Sequence, residues 1–292
     1  MTDARLSGVA RVCQIAGRPR SREGVRYPRR MEQPTLNFDD GAAYEEFMGV
    51  WSQLAGDSFL RWLAPPPGMR WIDVGCGNGA FTEMLAGRCA AKDVQGIDPS
   101  PEQLAYARTR LAGKAATFQV GDAKALPFAD GAFDAAVMAL VIFFVPDPVK
   151  GIAEMARVVR TGGSVSAYAW DLLGGGFPFA AMSDEMAALG TPPLWPPSAE
   201  ASRIDTLKAL WTNAGLVDVE TMPIDIERTF ADFETFWRIA QTGPRVAPRL
   251  AAMTPDNVAL LEERLRARLP ADAAGRITYG ARANAVKGRV AG

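Results

Sequence analysis

The sequence predicts an α/β fold built on a doubly wound, mostly parallel sheet. Three observations carry this expectation. Short apolar strands alternate with helix-like segments from residue 71 to 170, a spacing that implies parallel pairing through crossover helices. The first strand runs into a glycine-rich loop, Gly75-Cys-Gly77-Asn-Gly79, and in such sheets ligands sit outside the carboxyl ends of the strands. The next two strands each end in an acid, Asp98 and Asp122.

In chain order, Tyr44 to Leu54 spaces its apolar residues as a helix does. Phe59, Leu60, Trp62 and Leu63 continue that pattern to a stop at Pro65-Pro66-Pro67-Gly68. Trp71 to Val74 reads as the first strand, and Phe81 to Ala86 as the helix behind the loop. Val94 to Asp98 is the second strand. The helix from Pro101 has Ser100 as a natural N-cap and proline at its first position. Thr117 to Asp122 and Phe133 to Leu140 are the third and fourth strands, Val149 to Val159 a helix, and Gly163 to Trp170 the fifth strand.

Composition removes much chemistry. The 292 residues contain no histidine, which excludes Ser-His-Asp triads, Cys-His pairs, HExxH zinc sites and histidine general bases. Cys13, Cys76 and Cys89 are odd in number and lack CxxC spacing, so neither a disulfide framework nor a thiolate metal site is expected, and the chain reads as a cytoplasmic protein. The net charge is −1, which gives no global field for nucleic acid. The longest apolar stretch, Ala135 to Val145, is shorter than the ~20 residues of a membrane-spanning helix, and no membrane partner is expected.

Charge is uneven along the chain. Residues 1–30 carry eight arginines against Asp3 and Glu23, a net of +6. This arm is either a disordered extension or a tail for nucleic acid or a membrane surface. Residues 31–292 are expected to form a single domain.

The loop and the two acids together indicate the kind of ligand. A dinucleotide site needs GxGxxG with its third glycine at the helix, and position 80 is alanine. A carboxylate at Asp98 can accept both hydroxyls of a ribose. One at Asp122 can accept from an adenine amino group while the Ala123 N–H donates to a ring nitrogen. Two acids at consecutive strand ends suit adenosine without phosphates, since a pyrophosphate would be repelled.

Five segments in order, Asp73-Val-Gly-Cys-Gly-Asn-Gly79, Gly96-Ile-Asp-Pro-Ser100, Gly121-Asp-Ala-Lys-Ala-Leu-Pro-Phe128, Phe133-Asp134 and Arg157-Val-Val-Arg-Thr-Gly-Gly163, resemble the successive motifs of class I S-adenosylmethionine-dependent methyltransferases. The resemblance is to the small-molecule branch that includes quinone-biosynthesis enzymes. It implies S-adenosyl-L-methionine as cofactor, a small-molecule acceptor and a Rossmann-like seven-stranded sheet. By that resemblance Gly75, Cys76 and Gly77 lie under the methionine part, Asp98 with Pro99 holds the ribose, Asp122 and Ala123 read the adenine, and Leu140 lies near the sulfonium. Tyr44 and the Trp51-Ser52 step resemble an N-terminal lid, placed on helices within residues 40–63.

Two features depart from that pattern or stay open. Phe143 and Phe144 stand where many relatives have histidine before an Asp-Pro such as Asp147-Pro148; they either make the acceptor pocket apolar or are core residues. Asp73 either orients the glycine loop or caps a turn.

Beyond residue 171 lies an insertion, 172–202, framed by Gly174-Gly-Gly176 and by paired prolines, which reads as a mobile substrate lid with a helix over Met182 to Leu189. Arg203 to Ala214 is an amphipathic helix, Val217 to Phe230 a strand, Phe233 to Trp237 and Pro255 to Leu269 helices, and Gly275 to Asn284 a last strand. The last two strands are expected to pair antiparallel at the sheet edge. The aromatic set Phe143, Phe144, Trp170, Phe177, Phe179, Trp195 and Trp237 supplies candidates for an apolar acceptor pocket. No catalytic residue is assigned; Asp171, Glu185 and Tyr44 are the candidate bases. The expected function is methyl transfer to a small, partly apolar metabolite. The alternatives are a cofactor-binding protein of the same fold without acceptor chemistry, and an NAD-type oxidoreductase, which the glycine spacing and Asp122 disfavour.

Overall fold

The computed structural model describes residues 45–244 and 246–292. The arginine-rich arm and Tyr44 lie outside the described residues. A short π-helical turn, Glu45–Gly49, leads into α1 (Val50–Leu63), which ends at Ala64 in a left-handed conformation before the three prolines.

Five parallel strands and their crossovers follow. They are β1 (Arg70–Val74), α2 (Ala80–Arg88), β2 (Asp93–Asp98), α3 (Pro101–Arg110), β3 (Ala116–Val120), β4 (Phe133–Ala139), α4 (Pro148–Val158) and β5 (Val159–Trp170). The capping expected at α3 is present: Gln103 N donates to Ser100 Oγ at 3.2 Å, with Pro101 in the first turn. At α4, Asp147 plays the same part, accepting from Lys150 N at 3.1 Å ahead of Pro148. Local capping chemistry therefore sets both helix starts.

The remaining elements are α5 (Ala180–Ala188), α6 (Ile204–Asn213), β6 (Leu216–Phe230), α7 (Phe233–Gln241), α8 (Ala247–Ala251), α9 (Pro255–Arg268) and β7 (Ile277–Val290). The sheet order is β3-β2-β1-β4-β5-β7-β6. The last two strands do pair antiparallel, but β7 inserts between β5 and β6, and β6 takes the edge. That position explains Pro223 within β6, because an edge strand tolerates a residue without an N–H.

The central strands are apolar on both faces, as a doubly covered sheet requires. Tyr168 of β5 packs its ring on Phe59 of α1 and Phe81 of α2, with centroids 4.7 and 5.5 Å away. On α6, Trp211 is fully buried and its Nε1 donates to the Val165 carbonyl at 2.8 Å. Trp51, whose step with Ser52 resembles a lid, is instead a core residue, fully buried edge-on to Phe179 and Tyr279.

Candidate functional site

The strand registers bring the predicted residues to one edge. Asp73 pairs with Gly96 and with Val137, and Asp98 pairs with Val120. The loop after β1, the acid ending β2, the Gly121–Ala123 turn and Leu140 after β4 therefore lie together at the carboxyl ends of the strands, where an open α/β sheet places its ligand.

The glycine loop is held from below. Gly75 N and Cys76 N both donate to the Ile97 carbonyl, at 2.7 and 3.0 Å. Gly75 adopts φ +78°, and a Cβ there would meet Val141 Cγ1 at 2.4 Å. The position requires glycine twice over, for its backbone and for its space. Gly77 N donates to Asp98 Oδ2 at 2.9 Å, and Ser100 N to Asp98 Oδ1 at 2.9 Å. Asp98 thus ties the first loop to the start of α3. Burial pushes its carboxyl above the usual range, partly offset by those two N–H donors. Each carboxylate oxygen keeps a second lone pair for a ligand. Pro99 beside it is exposed.

Beneath the loop, Asp73 is fully buried and accepts from Thr82 Oγ1 at 2.7 Å. This supports its orienting role: it joins β1 to α2 under the glycines. Its Oδ1 has no donor, and burial, with Asp98 nearby, raises its pKa to about 7. Cys76 is buried at the same place, and burial pushes its thiol up, so it is a packing residue rather than a reactive thiolate.

On the far side of the crevice, Asp122 is largely exposed and folds back on its own turn, accepting from Lys124 N at 2.8 Å. Ala123 packs against the core beside it. Leu140 has φ +61° and its N–H donates to the Tyr168 carbonyl at 2.8 Å. A branched side chain in the left-handed region stores strain of order 1 kcal/mol or more, and such strain gathers at functional sites. The kink turns the chain into a 3₁₀ turn, Ile142–Phe144.

That turn opens onto a cavity of about 200 Å³ whose lining begins at Leu140 and includes Phe143, Phe144, Trp170, Phe177 and Trp195. Five of the seven aromatic candidates therefore face it. Phe179 does not; it stacks on Phe47 at 4.6 Å and sits in the core. Trp237 does not either, and stacks on Phe233. Phe47 and Met48, ahead of α1, also line the cavity. Their turn is fastened by Arg238, which meets Glu46 at 2.7 Å.

The 172–202 insertion is more firmly attached than its composition suggests. In α5, Met182 and Met186 are fully buried. Ser198 donates through N to the Phe143 carbonyl at 3.1 Å and through Oγ to the Val145 carbonyl at 2.7 Å. Within the Gly174–Gly176 run, expected as a hinge, Gly175 stands open and Gly176 makes a close approach to β7. Gly176 N donates to the Asp171 carbonyl at 2.8 Å, its carbonyl accepts from Arg282 N at 2.9 Å, and a Cβ on it would meet the Arg282 carbonyl at 2.6 Å.

Of the candidate bases, Tyr44 lies outside the described residues, and neither Asp171 nor Glu185 lines the cavity. Asp171 accepts from Gly174 N at 3.1 Å, and Glu185 pairs with Arg264 and Arg268. The polar side chains that do face it, Ser183, Asp184 and Arg249, lie far along the chain from the motifs. Only Arg249 carried a sequence signal, a lone charge among the apolar residues of 246–253.

These residues fit S-adenosylmethionine. The glycine cradle at Gly75 admits close backbone approach, and the half-buried Asp98 carboxylate at the end of β2 suits ribose hydroxyls and would repel a pyrophosphate.

Comparison with known proteins agrees. Residues 72–167 match the family described as a methyltransferase domain. Over 95 residues, 32% of this chain, the sequence is 43% identical to 2-methyl-6-phytyl-1,4-hydroquinone methyltransferase 2, chloroplastic, of Oryza sativa subsp. japonica, covering 27% of that protein. The chain spans only 27% to 41% of the length of the curated relatives it matches. The fold is similar to phosphoethanolamine N-methyltransferase 2 of Haemonchus contortus in complex with S-adenosyl-L-methionine, with TM-score 0.55 and 19% identity, covering 89% of this chain and 59% of that one. It is also similar to the YcgJ protein of Bacillus subtilis, with TM-score 0.53 and 16% identity, covering 82% of this chain and 99% of that one. Among the described residues no helix is long and apolar enough to cross a membrane.

Proposed function

We infer that this chain, whose residues 72–167 match the methyltransferase-domain family, is a class I S-adenosylmethionine-dependent methyltransferase that methylates a small, partly apolar metabolite held between Leu140 and the 172–202 insertion. The observation that carries the reading is the junction at the end of β4. There the Asp98-tethered glycine loop and the aromatic cavity meet across Leu140 and Val141.

When bound, S-adenosylmethionine supplies an activated methyl group on a sulfonium, displaced in line with release of a neutral thioether. The chain's residues do the rest. Asp98 accepts from the ribose hydroxyls, with Pro99 alongside. Asp122 and the Ala123 N–H read the adenine edge. Gly75, Cys76 and Gly77 offer backbone beneath the methionine portion, and Leu140 flanks the reacting end. Tyr44, at the approach to α1, belongs to the same proposed set.

The cavity's work is alignment and exclusion of water. Such positioning can supply roughly 7–11 kcal/mol of a barrier, and a base is needed only for an acceptor that is protonated at working pH. With no histidine in the chain and Asp184 engaged by Arg268 at 2.9 Å, no catalytic base is assigned.

The test is transfer of tritium from methyl-labelled S-adenosylmethionine into a metabolite extract. Label in a small organic product supports the reading. Binding of S-adenosylhomocysteine with no label transferred to any extract would replace it with a cofactor-binding protein of the same fold.

A further inference from the structure

The cavity beside Leu140 is apolar almost throughout, yet a guanidinium is buried in its wall. Arg249 on α8 is only 8% exposed. Its Nη2 donates to the Thr191 carbonyl at 2.6 Å, and its Nε has no partner. Among the described residues no carboxylate stands within ion-pair distance of it. Two less buried arginines differ: the half-buried Arg157 meets Glu154 and Asp130, and the exposed Arg268 meets Asp184 and Glu185.

A guanidinium carries five N–H donors and does not lose its charge in a protein. Leaving it buried against one neutral carbonyl is unfavourable, a cost that an anion in the cavity would offset. The planar fork matches a carboxylate, which it can hold through two parallel hydrogen bonds. The surrounding walls, Phe143, Phe144, Trp170 and Phe177, accept only an apolar body. Asp184 also faces the cavity but is held by Arg268, so its charge is already answered.

We propose that the acceptor is an apolar carboxylic acid whose carboxylate is gripped by Arg249. This rests on the methyltransferase reading and deepens it by naming the substrate class. Arg249 is then a specificity residue. A carboxylate engaged by a guanidinium is a poor nucleophile, so the methyl acceptor is another atom of the same molecule, placed toward Leu140. Thr191, whose carbonyl orients the guanidinium, ties the proline-rich stretch of the 172–202 insertion to the same recognition.

The test uses matched probes: 4-phenylbutyrate against 4-phenylbutyramide, and decanoate against decanamide. Each is titrated calorimetrically into the full chain with and without S-adenosylhomocysteine. At least one acid should bind about 10- to 100-fold more tightly than its amide, the weight of a charge-assisted hydrogen bond or a bidentate pair. In Arg249→Gln that preference should vanish, and Arg249→Lys should retain part of it. The proposal is overturned if neither acid is preferred over its amide in the parent chain, an outcome that needs no variant to fold. It is equally overturned if the preference survives in Arg249→Gln. Binding of S-adenosylhomocysteine without an acid preference removes only the carboxylate; failure of S-adenosylhomocysteine itself to bind removes the methyltransferase reading.

Discussion

Replacing Asp98 by alanine separates two roles that one side chain performs. The carboxylate accepts from Gly77 N and Ser100 N, both at 2.9 Å, and bonds to a charged acceptor contribute about 1.5–3 kcal/mol each. Part of that gain is spent on desolvating the carboxylate, which burial already disfavours. Asp98→Ala should therefore cost about 1–3 kcal/mol of stability, a fall in Tm of roughly 3–10 °C for a domain of this size. Affinity for S-adenosylhomocysteine should fall further, at least ~10-fold and up to more than ~100-fold, because the ribose loses its acceptor and the loop its anchor. Asp98→Asn should lie between, keeping one acceptor oxygen while turning an amide N–H₂ toward a backbone N–H. Ser100→Ala is the control. It removes the cap on Gln103 N and costs ~1 kcal/mol, yet leaves the acid in place, so it should lower Tm with little change in affinity. The assay is a calorimetric titration paired with a thermal melt of each variant. An Asp98→Ala protein that melts and binds like the parent would refute both the tether and the ribose contact.

Gly75→Ala should be destabilised by several kcal/mol, from the Val141 clash and the positive φ together. Adding Val141→Ala should recover the clash but leave about 1 kcal/mol of backbone strain; full recovery in denaturant melts would show that φ is not limiting. Asp73 gives a pH signature. Its folded pKa is raised to about 7, so its favourable contribution is complete below the unfolded value near ~4 and is lost as pH rises through about 7. The unliganded protein should lose about 2 kcal/mol or more from this group between pH 5 and pH 7.5. Asp73→Asn should flatten that slope in part, since Asp98 shifts in the same direction; an unchanged slope would exclude Asp73 as its source. Phe144→Ala should leave S-adenosylhomocysteine binding and Tm nearly intact, because the ring is 39% exposed, while lowering methyl transfer once an acceptor is known. A large Tm loss would return Phe144 to the core.

What the sequence revealed were features set by neighbours in the chain. Ser100 with Pro101, and the glycines after β1, have local backbone reasons that composition displays. What it hid were contacts between distant segments. Val141 fills the space that forbids a Cβ at Gly75, and nothing near either residue announces it. Leu140 reads as the end of a strand, and its left-handed turn appears only when Tyr168 on the neighbouring strand accepts its N–H. The Gly174–Gly176 run shows the ambiguity most clearly. Glycine serves flexibility and close packing alike, and at Gly176 the approach of Arg282 from β7 decides for packing. Among the aromatics, residue type could not separate Phe177, which lines the cavity, from Phe179, which stacks on Phe47 in the core. Arg249 joined the site through a carbonyl 58 residues earlier in the chain.

The strand ends at Gly75, Asp98 and Asp122 are the proposed seat of S-adenosylmethionine. The most direct test is a calorimetric titration of the full chain with S-adenosylmethionine, S-adenosylhomocysteine and NAD. One-to-one binding of both adenosyl compounds, with no heat from NAD, is the predicted result. Saturable binding of NAD, or no binding of either adenosyl compound, would contradict it.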